Sequence, residues 1–297
     1  MRELLTTFGI GLVSGVLSGA FGIGGGIITT PAIRLILGAA PLIAVGTPLP
    51  VIFPSAVTGL LNYRRQGLLE ARTGLWCGAF GSAFAILGAL ATQFVGGSVV
   101  LLATAVLILY TAGDMILQVL QTQAPPRVEL EAGEERDAFA PVGDEELGAL
   151  TRGDGEGLPE SSCLVRVTPR HRPAPLWQLL FIGALTGAYS GFLGLGGGFV
   201  LVPMLSRWLG YDIKRAIGTS LLAIAILAVP GTITHSLLGH VDWRIAAALI
   251  VGVVPGAWLG SRITLGSSDR AIRIGFSVML VVVGGWLALA ELGWIPR

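Results

Sequence analysis

Charge is what this sequence has least of. Only 12 % of its 297 residues are Asp, Glu, Lys or Arg, against about 25 % in a soluble globular domain. The net charge is +1, so no basic face invites nucleic acid. Cysteine is almost absent: Cys77 lies in an apolar segment and Cys163 in a polar one, which supports neither a disulfide frame nor a metal cluster. The histidines His171, His235 and His240 come with no cysteine or paired carboxylate at metal or triad spacing. That argues against an enzyme and against a bound metal, and no cofactor is expected. Acids inside the apolar segments are limited to Asp114 and Glu291. Both are near a segment end, where plain solvation is preferred to a functional role, and no central carboxylate marks a cation or proton site.

What is abundant is apolar sequence: 53 % hydrophobic residues and a mean hydropathy of +0.78, the composition of a polytopic membrane protein. Apolar segments run over 4–21, 27–37, 42–61, 73–94 and 98–120, then 176–193, 199–209, 216–238, 245–263 and 271–292. Most approach the roughly 20 residues that cross a bilayer core. The segments 27–37 and 199–209 reach only about half that thickness at 1.5 Å per residue, as half-helices or re-entrant pieces would. The first run passes into glycine-rich sequence with no clean cleavage site, so it reads as a retained helix rather than a signal peptide. Between the two sets lies a polar stretch, 121–175, with Pro125-Pro126 and acidic runs at Glu129–Asp137 and Asp144–Glu146. It has too few apolar residues for a core and reads as a disordered tether, with a regulatory role as the alternative. The expected organisation is a first transmembrane repeat over 1–120, this linker, and a second repeat over 176–297.

The two sets are copies. Ser18-Gly19-Ala20-Phe21-Gly22-Ile23-Gly24-Gly25-Gly26, closed by Pro31, returns as Ser190-Gly191-Phe192-Leu193-Gly194-Leu195-Gly196-Gly197-Gly198, closed by Pro203. The shift from Gly24 to Gly196, 172 residues, also aligns Gly11 with Gly183, Gly15 with Gly187, Ala44–Thr47 with Ala216–Thr219, Gly67 with Gly239, Glu70 with Asp242 and Arg72 with Arg244. If the segments flanking each glycine stretch return to their starting side, each half crosses an odd number of times and the halves are inverted. One face then receives Arg64, Arg65, Arg72, Arg166, Arg170, Arg172, Arg207, Lys214, Arg215, Arg262, Arg270 and Arg273, and the other only Arg2, Arg34, Arg244 and Arg297. The positive-inside rule makes the first face cytoplasmic, with the linker inside and both termini outside. The expected fold class is therefore all-α and polytopic: two homologous inverted repeats of about five helical segments, each with a glycine-rich broken or re-entrant element.

Inverted repeats with paired broken helices point to a transporter whose site lies near the midplane. Consecutive glycines let backbone N–H groups converge into a nest, and the helices that follow open with partial positive charge. Gly22, Gly24, Gly25 and Gly26, with Gly194, Gly196, Gly197 and Gly198, are the candidate anion-binding backbone. Ser18, Thr47, Ser190, Thr219 and Ser220 are the available hydroxyls. The bland reading of any such glycine is tight helix packing. It is preferred for Gly11, Gly15, Gly183 and Gly187, and a functional loop for the triple glycines. Pro48, Pro50 and Pro54 are expected to break the third segment and Pro230 its counterpart. Pro31, Pro54, Pro203 and Pro230 are candidate helix breaks or gates, with a structural kink as the alternative. His235 is read as an interfacial histidine before a proton relay, and His240 through Arg244 as an interfacial anchor before a gate.

The pattern from Gly15 to Pro31, repeated from Gly187 to Pro203, resembles the TauE/SafE sulfite-exporter family of membrane permeases. So do Ala44-Val45-Gly46-Thr47, Ala216-Ile217-Gly218-Thr219-Ser220 and the loop Gly239–Arg244; the stretch Arg64–Arg72 matches more loosely. The resemblance covers both halves and departs from the pattern where Pro48 replaces the expected serine and in the long acidic linker. It implies a permease of the bacterial plasma membrane carrying sulfite, sulfoacetate, sulfonates or other organic anions. The expected partners are the lipid bilayer and a small anionic substrate, with room for a homo-oligomer. The competing reading is an accessory or scaffold protein that keeps the fold without transport.

Overall fold

The structure, a computed structural model, describes residues 2–121 and 175–292. All but the ends of the expected linker, with Cys163 and His171, lie outside them, as does the side chain of Glu291.

Among the described residues there are eleven α-helices and no strand: α1 (Arg2–Phe21), α2 (Gly26–Leu35), α3 (Pro41–Gly46), α4 (Pro48–Arg65), α5 (Ala71–Ala91), α6 (Gly97–Gln121), α7 (Leu176–Leu193), α8 (Gly198–Trp208), α9 (Ile213–Leu237), α10 (Trp243–Gly266) and α11 (Asp269–Glu291). Taking α3 and α4 as one span, seven helices are long and apolar enough to cross a membrane. The short α2 and α8, of 10 and 11 residues, follow the glycine stretches as expected.

Helix packing is organised by glycine. Gly11, Gly15 and Gly19 of α1 lie against the backbone of Leu249, Val253 and Ala257 of α10. Gly183, Gly187 and Gly191 of α7 lie against Cys77, Gly81 and Ala85 of α5. Each partner in the second set is the first set's partner moved by 172 residues or the reverse, so a helix from one half packs on the fourth segment of the other half, twice. In lipid, apolar burial does not favour one helix neighbour over another, and close backbone approach supplies the attraction. A Cβ at Gly187 would run into the Gly81 carbonyl, and one at Gly19 into that of Ala257. The packing reading of Gly11, Gly15, Gly183 and Gly187 is what the structure shows.

These contacts also give direction. Residue numbers rise together along α1 and α10 and along α5 and α7, so each pair runs the same way. Gly74 and Gly78 of α5 meet Thr219–Leu222 and Ala223–Ile226 of α9 in rising order. On α4, Asn62 Nδ2 donates to Ser261 Oγ of α10 (2.7 Å), while Thr47 meets Asp242 at the start of α10. Hence α1, α4 and α10 share one direction and α5, α7 and α9 share another. The short turns 66–70 and 238–242 make the two directions opposite.

The short helix α8 turns back. Arg207 near its end pairs with Asp114 of α6, Ser206 accepts from Arg273 of α11 (3.3 Å), and Lys214 at the start of α9 donates to the Leu265 carbonyl (3.2 Å). The end of α8 therefore lies where α10 finishes and α9 and α11 begin, the end from which α7 set out. Ile33 of α2 instead clusters with Ala44, Ala246 and Leu249 around the start of α10, at the opposite end.

Four of the candidate prolines do not break their helices. Pro31, Pro54, Pro203 and Pro230 lie inside α2, α4, α8 and α9. Proline removes one i→i−4 bond and crowds one carbonyl, a local loss that packed neighbours absorb in a membrane bundle. The third segment is broken as expected at Pro48, which has no N–H to continue the ladder and opens α4 directly after Thr47, whereas its counterpart α9 runs unbroken through Ser220 and Pro230.

Candidate site at the glycine loops

Both glycine loops are buried and have nearly the same backbone. Gly22, Gly24 and Gly25 have φ of 69°, 78° and 82°; Gly194, Gly196 and Gly197 have 67°, 79° and 71°. Side chains rarely occupy this left-handed region, so glycine is required here by conformation as well as by space. Gly22 and Gly194 end α1 and α7 in the usual left-handed C-terminal turn, their N–H groups donating to Ser18 O (2.8 Å) and Ser190 O (3.0 Å). Gly25 and Gly197 then start α2 and α8, and neither start carries a side-chain cap. An uncapped helix start presents N–H donors and a partial positive charge.

The loops meet. Gly26 lies against the backbone of Leu195, and Gly198 against that of Gly22 and Ile23. Gly24 and Gly196 both face Ile52 of α4 and Ile224 of α9, themselves repeat mates. Ile23, Leu195, Ile52 and Ile224 are fully buried, so the centre is closed from solvent. The triple glycines thus also serve packing, of one loop on the other.

The last carbonyls of α1 and α7 are capped from the facing helices. Tyr63 Oη donates to Gly19 O (3.1 Å), and its repeat mate His235 donates from Nε2 to Gly191 O (2.8 Å). Thr264 Oγ1 donates to Ala20 O (3.0 Å). His235 is therefore buried against protein near the end of α9, held by this cap. Its Nδ1 lies 3.3 Å from Nδ1 of His240. His240 sits in the turn between α9 and α10, where burial pushes its imidazole below the ordinary histidine value. Asp242 in the same turn caps α10 by accepting from Arg244 and Ile245 N–H, with Trp243 exposed beside it. The capping role of Tyr63 and His235 was not foreseen; their shared position under the 172-residue shift was the signal.

The candidate hydroxyls separate into groups. Thr47 Oγ1 accepts from the N–H of Asp242 (3.0 Å), and Thr219 Oγ1 from that of Glu70 (3.1 Å). Each ties the start of one span to the tight turn of the other half. Ser220 lies at the first loop and donates to Gly22 O (2.9 Å) and Ile217 O (2.8 Å); Pro48, its mate, has no such donor. Ser18 accepts from Ser55 (2.7 Å), and Ser14 donates to Gly25 O (2.8 Å). Ser190 is buried with no hydrogen-bond partner.

The description "Sulfite exporter TauE/SafE" belongs to the family model that matches residues 7–287. A "Probable membrane transporter protein" of Xylella fastidiosa (strain 9a5c) is 27 % identical over 95 % of this chain and 94 % of its own length. YunE of Bacillus subtilis (strain 168) is 23 % identical over 93 % of both. MJ0441 of Methanocaldococcus jannaschii is 21 % identical over 94 % of this chain and 93 % of its own length. The last two carry the same descriptive name. No solved structure matches the chain. With the match running from the first helix into the last, this membrane protein belongs to the TauE/SafE sulfite-exporter family.

Proposed function

We propose that this protein is a secondary transporter for a small anion of the sulfite or organosulfonate type, bound between the two glycine loops and released by alternating access. One observation carries the reading: two buried loops with matched left-handed glycines touch at the centre, each opening an uncapped helix. The site residues are the loop glycines Gly22, Gly24, Gly25, Gly26, Gly194, Gly196, Gly197 and Gly198, with Ser18, Ser190 and Ser220. One exposed helix start favours an anion by about 0.3–1 kcal/mol, and a partly buried one by up to about 2. Two facing starts with hydroxyl donors are the minimum that could offset desolvation of the ion. Ile52 and Ile224 cover Gly24 and Gly196, so binding between the loops requires these side chains to move aside.

The proposal includes inverted repeats. Its support is that α1 and α4 run opposite to their mates α7 and α9, and α5 opposite to its mate α10. It also includes a plasma-membrane location with linker and basic face cytoplasmic. Support for that face is the grouping of Arg207, Lys214 and Arg273 at one end of the bundle. The test is flux: purified protein in liposomes should move sulfite, sulfoacetate or a simple sulfonate. Folded protein that moves none of them would return the scaffold reading. Labelling of single cysteines in the linker from outside intact cells would overturn the orientation.

A further inference from the structure

We infer that the anion site is unequal between the halves, and that the second loop carries its side-chain donors: Ser190 and, one turn before it, Thr186 of α7. This rests on the transport reading above and specifies which half supplies the hydroxyls.

The evidence is a difference between mates. In the first half, Ser14 donates to Gly25 O (2.8 Å), and Ser55 donates to Ser18 (2.7 Å). In the second half the mates of Ser14 and Ser18 are Thr186 and Ser190. They are 0 % and 1 % exposed, and neither hydroxyl has a hydrogen-bond partner. The mate of Ser55 is Leu227, fully buried and unable to donate. A buried polar group without a partner is rare and unfavourable, and here two stand one helical turn apart.

Their place is specific. The Ser190 Cβ lies 3.3 Å from where a Cβ on Gly197 would stand, and the Thr186 Cγ2 lies 2.6 Å from it. Gly197 begins α8, which has no side-chain cap. Thr186 meets the loop through its methyl; rotation about χ1 exchanges methyl for hydroxyl, and threonine in a helix populates two such rotamers. The turn from Ser190 to Gly198 holds no Lys, Arg or His. Two hydroxyls and a helix start, without a fixed cation, suit a singly charged oxyanion with several acceptor oxygens, such as hydrogen sulfite or a sulfonate. A dianion would bring more desolvation than these neutral donors return.

The test uses the full chain in liposomes and in detergent, with methanesulfonate as probe and sulfate as the dianion. Ser190→Ala should raise the half-saturating concentration of methanesulfonate about tenfold or more, the loss expected for one hydrogen bond to a charged group. Thr186→Val, which keeps the methyl packing, should raise it severalfold. Ser14→Ala should leave it within about twofold while lowering the unfolding temperature, because it removes a made bond. Ser190→Ala should not lower the unfolding temperature of ligand-free protein, since it removes an unpaired hydroxyl, and should abolish the stabilisation that methanesulfonate gives the wild type. Sulfate should give no such stabilisation. Unchanged affinity in Ser190→Ala, an equal loss in Ser18→Ala, or binding of sulfate as tight as methanesulfonate would overturn the inference. Wild-type protein that neither moves nor is stabilised by methanesulfonate or sulfite would instead remove the transport reading on which it rests.

Discussion

The two glycine loops share a backbone and differ in what holds it. Their φ angles agree closely, their preceding helices end in the same turn, and each lies on the other. The first loop is tied by side chains: Ser14 on Gly25, Ser55 on Ser18, Ser220 on Gly22 and Tyr63 on Gly19. The second retains one of these four ties, His235 on Gly191, and leaves Thr186 and Ser190 unpartnered. A duplicated backbone with unequal fastening lets one half act as a frame while the other keeps donors available. Equal roles for the loops are not required by equal shapes.

The comparison can be broken first where the halves are most alike. Gly15→Leu and Gly187→Leu each force a side chain into a facing backbone. Both should cost about 1–3 kcal/mol or more and abolish a monodisperse folded peak in detergent. A well-folded variant at only one position would show that the α1–α10 and α5–α7 pairings are not energetically equivalent. Next come the loops themselves. Gly25→Val and Gly197→Val place a β-branched residue at positive φ, a strain of about 1–3 kcal/mol. Each should eliminate flux while membrane insertion, read by fractionation and glycine-packed helix content, persists. Full activity in both would return the loops to a packing role.

Smaller effects test the caps. Tyr63→Phe and His235→Phe each leave a buried carbonyl without its side-chain donor, a cost of about 1–3 kcal/mol. The measured quantity is unfolding temperature, and similar losses are expected from the two mates. The least effect comes from pH. His240 has a depressed value in the folded protein, so the unfolded chain binds more protons there. Its contribution is present above about pH 6.5, the ordinary histidine value, and is lost as pH falls from there through the folded value. His240→Leu, which restores the residue found at its mate Leu68, should flatten the acid side of the stability profile.

Much of the fold was legible because membrane helices are written in length and hydropathy: all ten apolar segments appear as helices, and the two half-length ones were recognised from residue count. Glycine spacing announced the close pairs because only glycine permits that approach. Pro48 marked the interruption of the third segment, while Pro54 and Pro230 misled, since they look like breaks in isolation and packed neighbours absorb them. The bond of His235 to the Gly191 carbonyl was not legible, because it depends on the end of α7 meeting the end of α9.

By itself the sequence determined the duplication, the helical segments and the two glycine breaks, since periodic apolarity, a constant shift and runs of glycine are local properties of the chain. Only tertiary structure decided which helices pair across the halves and which hydroxyls are already spent. A hydrogen bond between Ser55 and Ser18 depends on two helices meeting, and the absence of one at Ser190 depends on Leu227 standing where a serine stands in the other half. Nothing in the local sequence around Ser18 or Ser190 distinguishes them; their neighbours in space do.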